Sequence, residues 1–273
     1  MEYKFPSYQD LFEVTKRRLK RLKGHASKST GKLNDQDAFM FMIIGNINLR
    51  FNTICLLLES NNYDGIFALQ RTIFELQLAF EAYMQSDNKE EFLKFYYQKS
   101  NFETVNKWQK LIQRSNKDQA DIFTQEDQQK IEEWKSTIIE ELDVSNGRDR
   151  MKLWYELATK KSVKDLSYEF MSAVDYFISY DEPSNWVHPQ RLEENMNSDF
   201  DSILNLNYMI LLIGMLRTDI KWIVEDITKI AKHVGLAQSN LLYKHLKKLE
   251  LFDEKLLEIA IDINKNKEEY KDI

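Results

Sequence analysis

The chain has 273 residues, of which 43% are hydrophobic and 30% are charged, and it contains only 7 Gly and 3 Pro. Its 16 Phe, 13 Tyr and 5 Trp supply enough apolar surface to exclude a disordered chain. The scarcity of Gly and Pro excludes an all-β sandwich or barrel, and the net charge of -6 excludes a globally basic nucleic-acid footprint, though a local basic patch remains open.

Apolar residues recur at helical spacing along almost the whole chain, and the strict alternation typical of strands is nearly absent. Residues 180–184 are predicted to form a turn, because a proline at position 183 disfavours helical backbone at the preceding residue. The predicted helices, in chain order, cover residues 8–23, 35–60, 64–86, 89–114, 125–142, 149–160, 164–180 and 198–231, followed by a helical pair at 238–269.

This order of elements predicts an all-α fold, a compact multi-helix bundle of long antiparallel helices. The absence of a fixed repeat and of low-complexity tracts favours a single domain over residues 1–273. Residues 115–150 begin with the most hydrophilic section of the chain and are predicted to be an insertion or mobile excursion. Residues 232–273 are predicted to form a C-terminal helical pair.

Features of the chain indicate a soluble, cytoplasmic protein without a membrane partner. Cys55 is the single cysteine, which excludes an internal disulfide and a multi-cysteine zinc site. The first residues are polar and charged, so no signal peptide is predicted. The apolar stretch 39–58 is interrupted by three asparagines and an arginine, and the stretch 208–216 is far shorter than the ~20 residues that span a bilayer.

The first candidate site is the pair Arg71 and Glu75 in the predicted helix 64–86. The two residues are four apart and therefore share a helix face, next to apolar neighbours. One interpretation is an exposed ion pair within the helix, which contributes little to stability. The other is a guanidinium oriented towards a polar cleft.

The second candidate site is the segment 180–189, which combines two prolines with Trp186 and His188. Such a stiff, aromatic segment would hold side chains in fixed directions, and an imidazole titrates near neutral pH. A structural histidine that bonds nearby backbone is the alternative. Ser184 lies four residues before His188, but no Gly-x-Ser-x-Gly elbow exists, so a hydrolase triad is disfavoured.

Two motifs of this sequence, in order, resemble those of a bacterial and phage family. The first is the run Tyr63-Asp64-Gly65-Ile66-Phe67-Ala68-Leu69-Gln70-Arg71-Thr72-Ile73-Phe74-Glu75. The second is Ser184-Asn185-Trp186-Val187-His188-Pro189. That family is known only as domain of unknown function five-six-seven-seven. The resemblance covers about residues 36–225. It implies a helical bundle that brings Arg71, Glu75 and His188 together, and it implies no particular reaction.

The chain is more distantly similar to the HEPN superfamily of helical ribonucleases, which are often found in toxin and phage-defence systems. Those enzymes carry an Arg and a His four to six residues apart on one helix, usually paired across a dimer. Here neither Arg71 nor His188 has such a partner, so the resemblance implies a rearranged Arg/His pair. An Arg can stabilise phosphorane charge and a His can move the proton of a 2'-hydroxyl.

The third candidate site is the segment 227–246, which resembles a repressor-type helix-turn-helix with Gly235 in the turn. One interpretation places five polar residues in a DNA major groove: Gln238, Ser239, Asn240, Tyr243 and Lys244. The other, which we favour, makes Gly235 the C-cap of a continuous core helix and disfavours DNA as a partner.

Metal and cofactor chemistry have little support in the sequence. Asp181, Glu182 and His188 carry ligand atoms, but no Glu-x-x-His or His-Glu-x-x-His pair, Walker loop or dinucleotide fingerprint exists. We therefore predict neither a cofactor nor a metal. The basic face of the first helix, from Lys16 to Lys23, is interpreted as a solvated surface, with phosphate contact as the alternative.

These observations lead to a functional hypothesis centred on one polar cleft. The candidate catalytic residues are Arg71, Glu75, His188 and Ser184, and the candidate binding residues are Tyr180, Asp181 and Trp186. The favoured function is an RNA- or nucleotide-directed, nuclease-like enzyme of phage defence, with a homo-oligomer also considered. The alternatives are a non-catalytic protein that binds a partner or ligand in the same cleft, and a DNA-binding regulator that uses residues 227–246.

Overall fold

The computed structural model describes residues 4–28, 31–118, 123–144, 146–187 and 206–266. These residues are helical almost throughout and include no strand, so the protein is all-α, as predicted. The helices are α1 (Gln9–Ala26), α2 (Asp35–Glu59), α3 (Ile66–Gln85), α4 (Lys89–Lys117), α5 (Gln125–Leu142), α6 (Gly147–Arg150), α7 (Trp154–Thr159), α8 (Val163–Phe170), α9 (Ala173–Tyr176), a π-helical segment (Phe177–Asp181), α10 (Glu182–Val187), α11 (Leu206–His233) and α12 (Asn240–Asn266).

The chain divides into two compact units. Met1–Phe80 and Ser167–Ile273 make up the first unit, and Glu81–Leu166 make up the second. The organisation as one domain over 1–273, and the insertion at 115–150, remain predictions.

In the first unit, α1 packs on α2, and α12 packs on both α1 and α11. The core where α1, α2 and α12 meet is aromatic. Tyr8 and Phe252 lie edge-on to one another with ring centroids 5.3 Å apart, and Phe51 approaches Tyr8 to 4.7 Å. The buried Tyr8 hydroxyl donates to Asn48 Oδ1 at 2.9 Å, which satisfies a polar group that burial alone would penalise.

The second unit is built around the pairing of α4 and α5. Its core cluster is apolar and buried: Phe102, Val105, Ile138, Leu142, Val144 and Leu157. A capping box starts α5, because Thr124 accepts from the Asp127 N–H while the Asp127 carboxylate accepts from the Thr124 N–H. The predicted start and end of this helix, 125 and 142, are those observed.

Two buried amide–carboxyl pairs join α3 to α11 in the first unit. Gln70 Nε2 donates to Asp219 Oδ1 at 2.8 Å, and Gln77 Nε2 donates to Asp226 Oδ1 at 3.1 Å. All four side chains are fully buried. Gln70 Oε1 and Asp219 Oδ2 have no hydrogen-bond partner among the described residues, and burial raises the pKa of Asp219 well above its ordinary value. A protonated Asp219 can therefore donate to Gln70 Oε1 and complete a two-way pair.

We expect Asp219→Asn to raise the thermal midpoint at neutral pH and to flatten its dependence on pH. A carboxyl whose pKa is raised in the folded state binds more protons there than in the unfolded chain. Its contribution to stability is complete below the ordinary aspartate pKa and declines as pH rises through the folded-state value. Melting curves from pH 4 to pH 8, with the exposed Asp64→Asn as control, measure this. An unchanged pH profile would contradict it.

The turn predicted at 180–184 is wrong, because the π-helical segment and α10 occupy these residues. Pro183 is the second residue of α10, which continues the π-helical segment without a break, so the proline is accommodated inside a helical run. The predicted helix 164–180 is instead broken at Ser172, which forms a capping box with Asp175 and starts α9. The predicted helix 149–160 is likewise two short helices, α6 and α7.

The helical pair predicted at 238–269 is also wrong, because α12 is one helix from Asn240 to Asn266. Apolar side chains recur on it every seven residues with no Gly or Pro between them, so one face stays buried along its length. The buried residues of this row are Leu242, Leu249, Leu256 and Ile263.

The segment 227–246 consists of the end of α11, a turn at 234–239 and the start of α12, which together form an antiparallel hairpin. Arg217 on α11 makes a two-point ion pair with Asp253 on α12 at 2.8 and 3.0 Å, so the helices stay in contact well away from the turn. Gly235 has a φ of 74° and ends α11 in a Schellman motif, with the Leu236 N–H donating to the Ala231 carbonyl. This geometry favours the C-cap interpretation over a helix-turn-helix. The absence of DNA binding remains a prediction.

Candidate functional site

Arg71 and Glu75 lie on the same face of α3, one turn apart. Arg71 Nε donates to Glu75 Oε1 at 3.2 Å, and the two side chains are 34% and 29% exposed. The pair is therefore neither free in solvent nor sealed in the core. Part of the guanidinium remains accessible to a ligand.

The Arg71 guanidinium lies against Tyr180 in the π-helical segment. Its central carbon is 5.1 Å from the centre of the Tyr180 ring, and Nη2 is 3.5 Å from the Tyr180 hydroxyl oxygen. A cation over an aromatic face contributes about 0.5–1 kcal/mol when it is exposed and more when it is desolvated. Glu75 and Tyr180 together hold the planar guanidinium in one orientation.

Tyr180 belongs to a row of three tyrosines. The Tyr176 and Tyr180 rings are stacked, with centroids 5.5 Å apart and an interplanar angle of 30°, and the Tyr168 ring is 5.9 Å from Tyr176. Tyr168 is 56% exposed at the outer end of the row. We refer to Arg71, Glu75, Tyr168, Tyr176 and Tyr180 as the tyrosine–arginine surface.

The π-helical segment and Phe74 fix the direction of the tyrosine row. A π-helical turn contains about one residue more than an α-helical turn and so re-aims the side chains that follow it. The buried Phe74 ring supports the row from below, with centroids 5.0 Å from Tyr180 and 6.0 Å from Tyr176. The ring of Trp222 on α11 also lies near Phe74, with the centroids 6.3 Å apart.

Tyr176 is a neutral phenol in this setting. Burial raises its pKa above the ordinary tyrosine value, and Asp181, Tyr180 and Tyr168 raise it further. The ring therefore remains an uncharged stacking surface with a hydroxyl donor at neutral pH.

The other residues predicted to belong to the site are Ser184, Asp181, Trp186 and His188. Ser184 donates its hydroxyl to the Tyr180 carbonyl one turn back, which commits the proton to the helix and does not activate the oxygen. Asp181 is exposed at the end of the π-helical segment. Trp186 lies in α10, but its side chain is outside the described part of the structure, and His188 is outside the described residues altogether.

Tyr168, Tyr176 and Phe74 are parts of this site that were not predicted from the sequence. The i, i+4 spacing of Tyr176 and Tyr180 is a signal that could have identified the stacked pair. No sequence pattern indicates that Phe74, on a separate helix, supports both rings. Among the described residues, no group of three or more His, Cys, Asp and Glu side chains is arranged to hold a metal ion.

A family model described as a family of unknown function (DUF5677) matches residues 37–203, more than half of the chain. The chain belongs to DUF5677. No curated protein and no solved structure matches it. The DUF5677 match contains Arg71, Glu75 and the whole tyrosine row, whereas α11 and α12 lie beyond its end. The tyrosine–arginine surface thus belongs to the part of the chain that defines membership of DUF5677.

Proposed function

We propose that this protein is an RNA-directed, nuclease-like enzyme that holds a single strand on the tyrosine–arginine surface. The observation that carries the proposal is the Arg71 guanidinium, held at 5.1 Å over Tyr180 at the end of a row of stacked tyrosines. Aromatic rings stack with unpaired bases, and a guanidinium binds phosphate oxygens in a two-point geometry. These are the two contacts that a single strand requires.

The proposed chemistry is attack of an RNA 2'-hydroxyl on the adjacent phosphorus, with cleavage of the bond from phosphorus to the 5'-oxygen. Arg71 stabilises the additional negative charge on the phosphorane, and His188 accepts the 2'-hydroxyl proton. The departing 5'-oxygen takes up the proton that His188 returns, so the products are a 2',3'-cyclic phosphate and a 5'-hydroxyl. The reaction class and a role in phage defence inside a bacterial cell are taken from the resemblance to HEPN ribonucleases, whose Arg/His spacing this sequence does not share.

Replacement of Arg71 by alanine is expected to weaken the binding of a single-stranded RNA about 10-fold or more, because a charge-assisted hydrogen bond contributes ~1.5–3 kcal/mol. The slope of log affinity against log salt should fall by about 0.7, the value for one phosphate contact to a single strand. Fluorescence anisotropy with a labelled oligonucleotide at several salt concentrations measures both effects.

Arg71→Lys and Arg217→Ala complete this experiment. Arg71→Lys keeps the charge but loses the planar stack on Tyr180, so it should retain the salt slope and lose part of the affinity. Arg217 is a matched control, since it is 36% exposed and is also ion-paired. Unchanged affinity and slope in Arg71→Ala would refute the proposed function.

A non-catalytic ligand-binding protein is the second candidate, and the hydrogen bond from Ser184 to its own helix favours it. Binding of RNA by the wild-type protein without release of cyclic-phosphate product would support this candidate over the enzyme. Wild-type binding of a DNA duplex in place of the single strand would instead support the regulator hypothesis.

A further inference from the structure

The outward face of α2 carries an exposed row of apolar side chains in the first unit. Met42, Leu49 and Leu56 recur every seven residues and are 40%, 50% and 42% exposed. By length and composition α2 could cross a membrane, and half of its most apolar stretch is buried in the protein. Met42, Leu49 and Leu56 therefore form an exposed apolar row on a helix whose other positions are largely buried. Contiguous exposed apolar side chains of this kind mark interaction surfaces.

Polar side chains on this face already form hydrogen bonds within α2. Asn46 Nδ2 donates to the Met42 carbonyl at 2.8 Å, and Thr53 Oγ1 donates to the Leu49 carbonyl at 3.0 Å. Arg50 donates to Asn46 Oδ1 at 2.9 Å. Covering this face would therefore bury apolar groups without leaving these Asn46 and Thr53 donors unpaired.

We propose that α2 pairs with α2 of a second copy of this chain, antiparallel and centred on Leu49. Residues equally distant from Leu49 in opposite directions then face each other. Met42 lies opposite Leu56 of the second copy, and Gly45 lies opposite Thr53, which matches large with large and small with small. A two-fold axis makes the same contacts twice, as in most homodimers.

Charge complementarity selects a second copy in this antiparallel direction. A groove of about 260 Å³ beside α2 is lined by Lys16, Lys20, Lys23, Met42 and Gly45. The antiparallel register brings the exposed Glu59 of the second copy level with the first turn of α2, next to Lys20 and Lys23. A parallel pair would place Glu59 beside Glu59 and lysine beside lysine, which is repulsive.

The first test is the mass of the full-length protein in solution, measured by light scattering over a range of concentrations. The wild type is expected to dimerise, and Leu49→Glu is expected to remain monomeric because it buries two like charges on the axis. Leu251→Glu is the matched control, since Leu251 is 52% exposed on α12. A wild type that remains monomeric throughout, or a Leu49→Glu variant that still dimerises, overturns the proposal.

Gly45→Trp tests the same face without adding charge. A Cβ at Gly45 meets no atom within 4 Å, so the monomer should tolerate a side chain there, whereas an indole would collide with Thr53 of the second copy. We expect a folded monomer with the wild-type circular dichroism spectrum. A Gly45→Trp dimer as tight as wild type excludes the α2 pairing.

Charge reversal and cross-linking test the direction of the pair. Glu59→Lys should weaken the dimer, and the added change of Lys20 and Lys23 to Glu should restore it. Leu49→Cys chains treated with diamide should form a disulfide-linked dimer, whereas Leu56→Cys chains should not, because Leu56 faces Met42; Cys55 is buried. The reverse cross-linking pattern overturns the antiparallel register. Monomers whose binding to phosphatidylglycerol vesicles is lost in Leu49→Glu would assign the face to a membrane and overturn the dimer.

Discussion

Replacement of His188 by alanine is expected to lower the rate of RNA cleavage by ~10²–10⁴-fold, the usual effect of removing a general acid–base group. His188 lies outside the described residues, so the prediction rests on its place in the chain, a few residues after Tyr180 and within the DUF5677 match. An imidazole with a pKa near neutrality can both accept and return a proton at physiological pH. Affinity for uncleaved RNA should remain at the wild-type value.

Single-turnover cleavage of a labelled oligonucleotide, together with anisotropy on a substrate that lacks the reactive 2'-hydroxyl, separates the rate from binding. His25→Ala is a suitable control, because His25 is a half-buried histidine at the end of α1. Full activity in His188→Ala would remove its catalytic role. A loss of affinity equal to the loss of rate would make His188 a binding residue.

Replacement of Phe74 by alanine is expected to destabilise the first unit by about 3–5 kcal/mol, the usual cost of truncating a buried aromatic side chain. Phe74 is fully buried and is in contact with the rings of Tyr176, Tyr180 and Trp222. Removal of the Phe74 ring leaves a cavity under the tyrosine row, and its contacts with the neighbouring rings are lost. Urea unfolding followed by circular dichroism measures the loss.

Phe177→Ala provides the comparison, because Phe177 lies in the π-helical segment that Phe74 contacts through Tyr180, but is 49% exposed. This variant should change stability by a small fraction of the Phe74→Ala effect. Phe74→Leu should recover part of the loss, since it refills some of the cavity. Equal stability losses in Phe74→Ala and Phe177→Ala would show that Phe74 does not support the row.

The sequence determined the all-α class and, to within three residues, the limits of the long helices in the first half of the chain. Helical periodicity and helix caps depend on residues only a few positions apart, so they can be recognised in the sequence without knowledge of tertiary contacts. Asn34, for example, accepts from the Asp37 N–H and starts α2 at the predicted residue. The ion pair of Arg71 with Glu75 follows from spacing alone, because residues four apart on a helix are neighbours.

Tertiary packing decided the segments where local rules pointed elsewhere. The rule that proline disfavours helix at the preceding residue predicted a turn at 180–184, but the chain stays helical there. Its aromatic side chains pack on α3, and the π-helical segment also contacts α11. The energy of burying these rings exceeds a local backbone preference. Favourable packing along its whole length likewise keeps α12 a single helix.

The sequence by itself placed Arg71 on a helix face and the tyrosines downstream, whereas only the tertiary structure decided that they meet. The contact of Arg71 with Tyr180 spans 109 positions, and the hydrogen bond of Gln70 with Asp219 spans 149. Such contacts depend on how amphipathic faces dock, and many arrangements share one helical pattern. Helix formation is a local property of the chain, but a binding surface is a property of helices brought together by burial of their apolar faces.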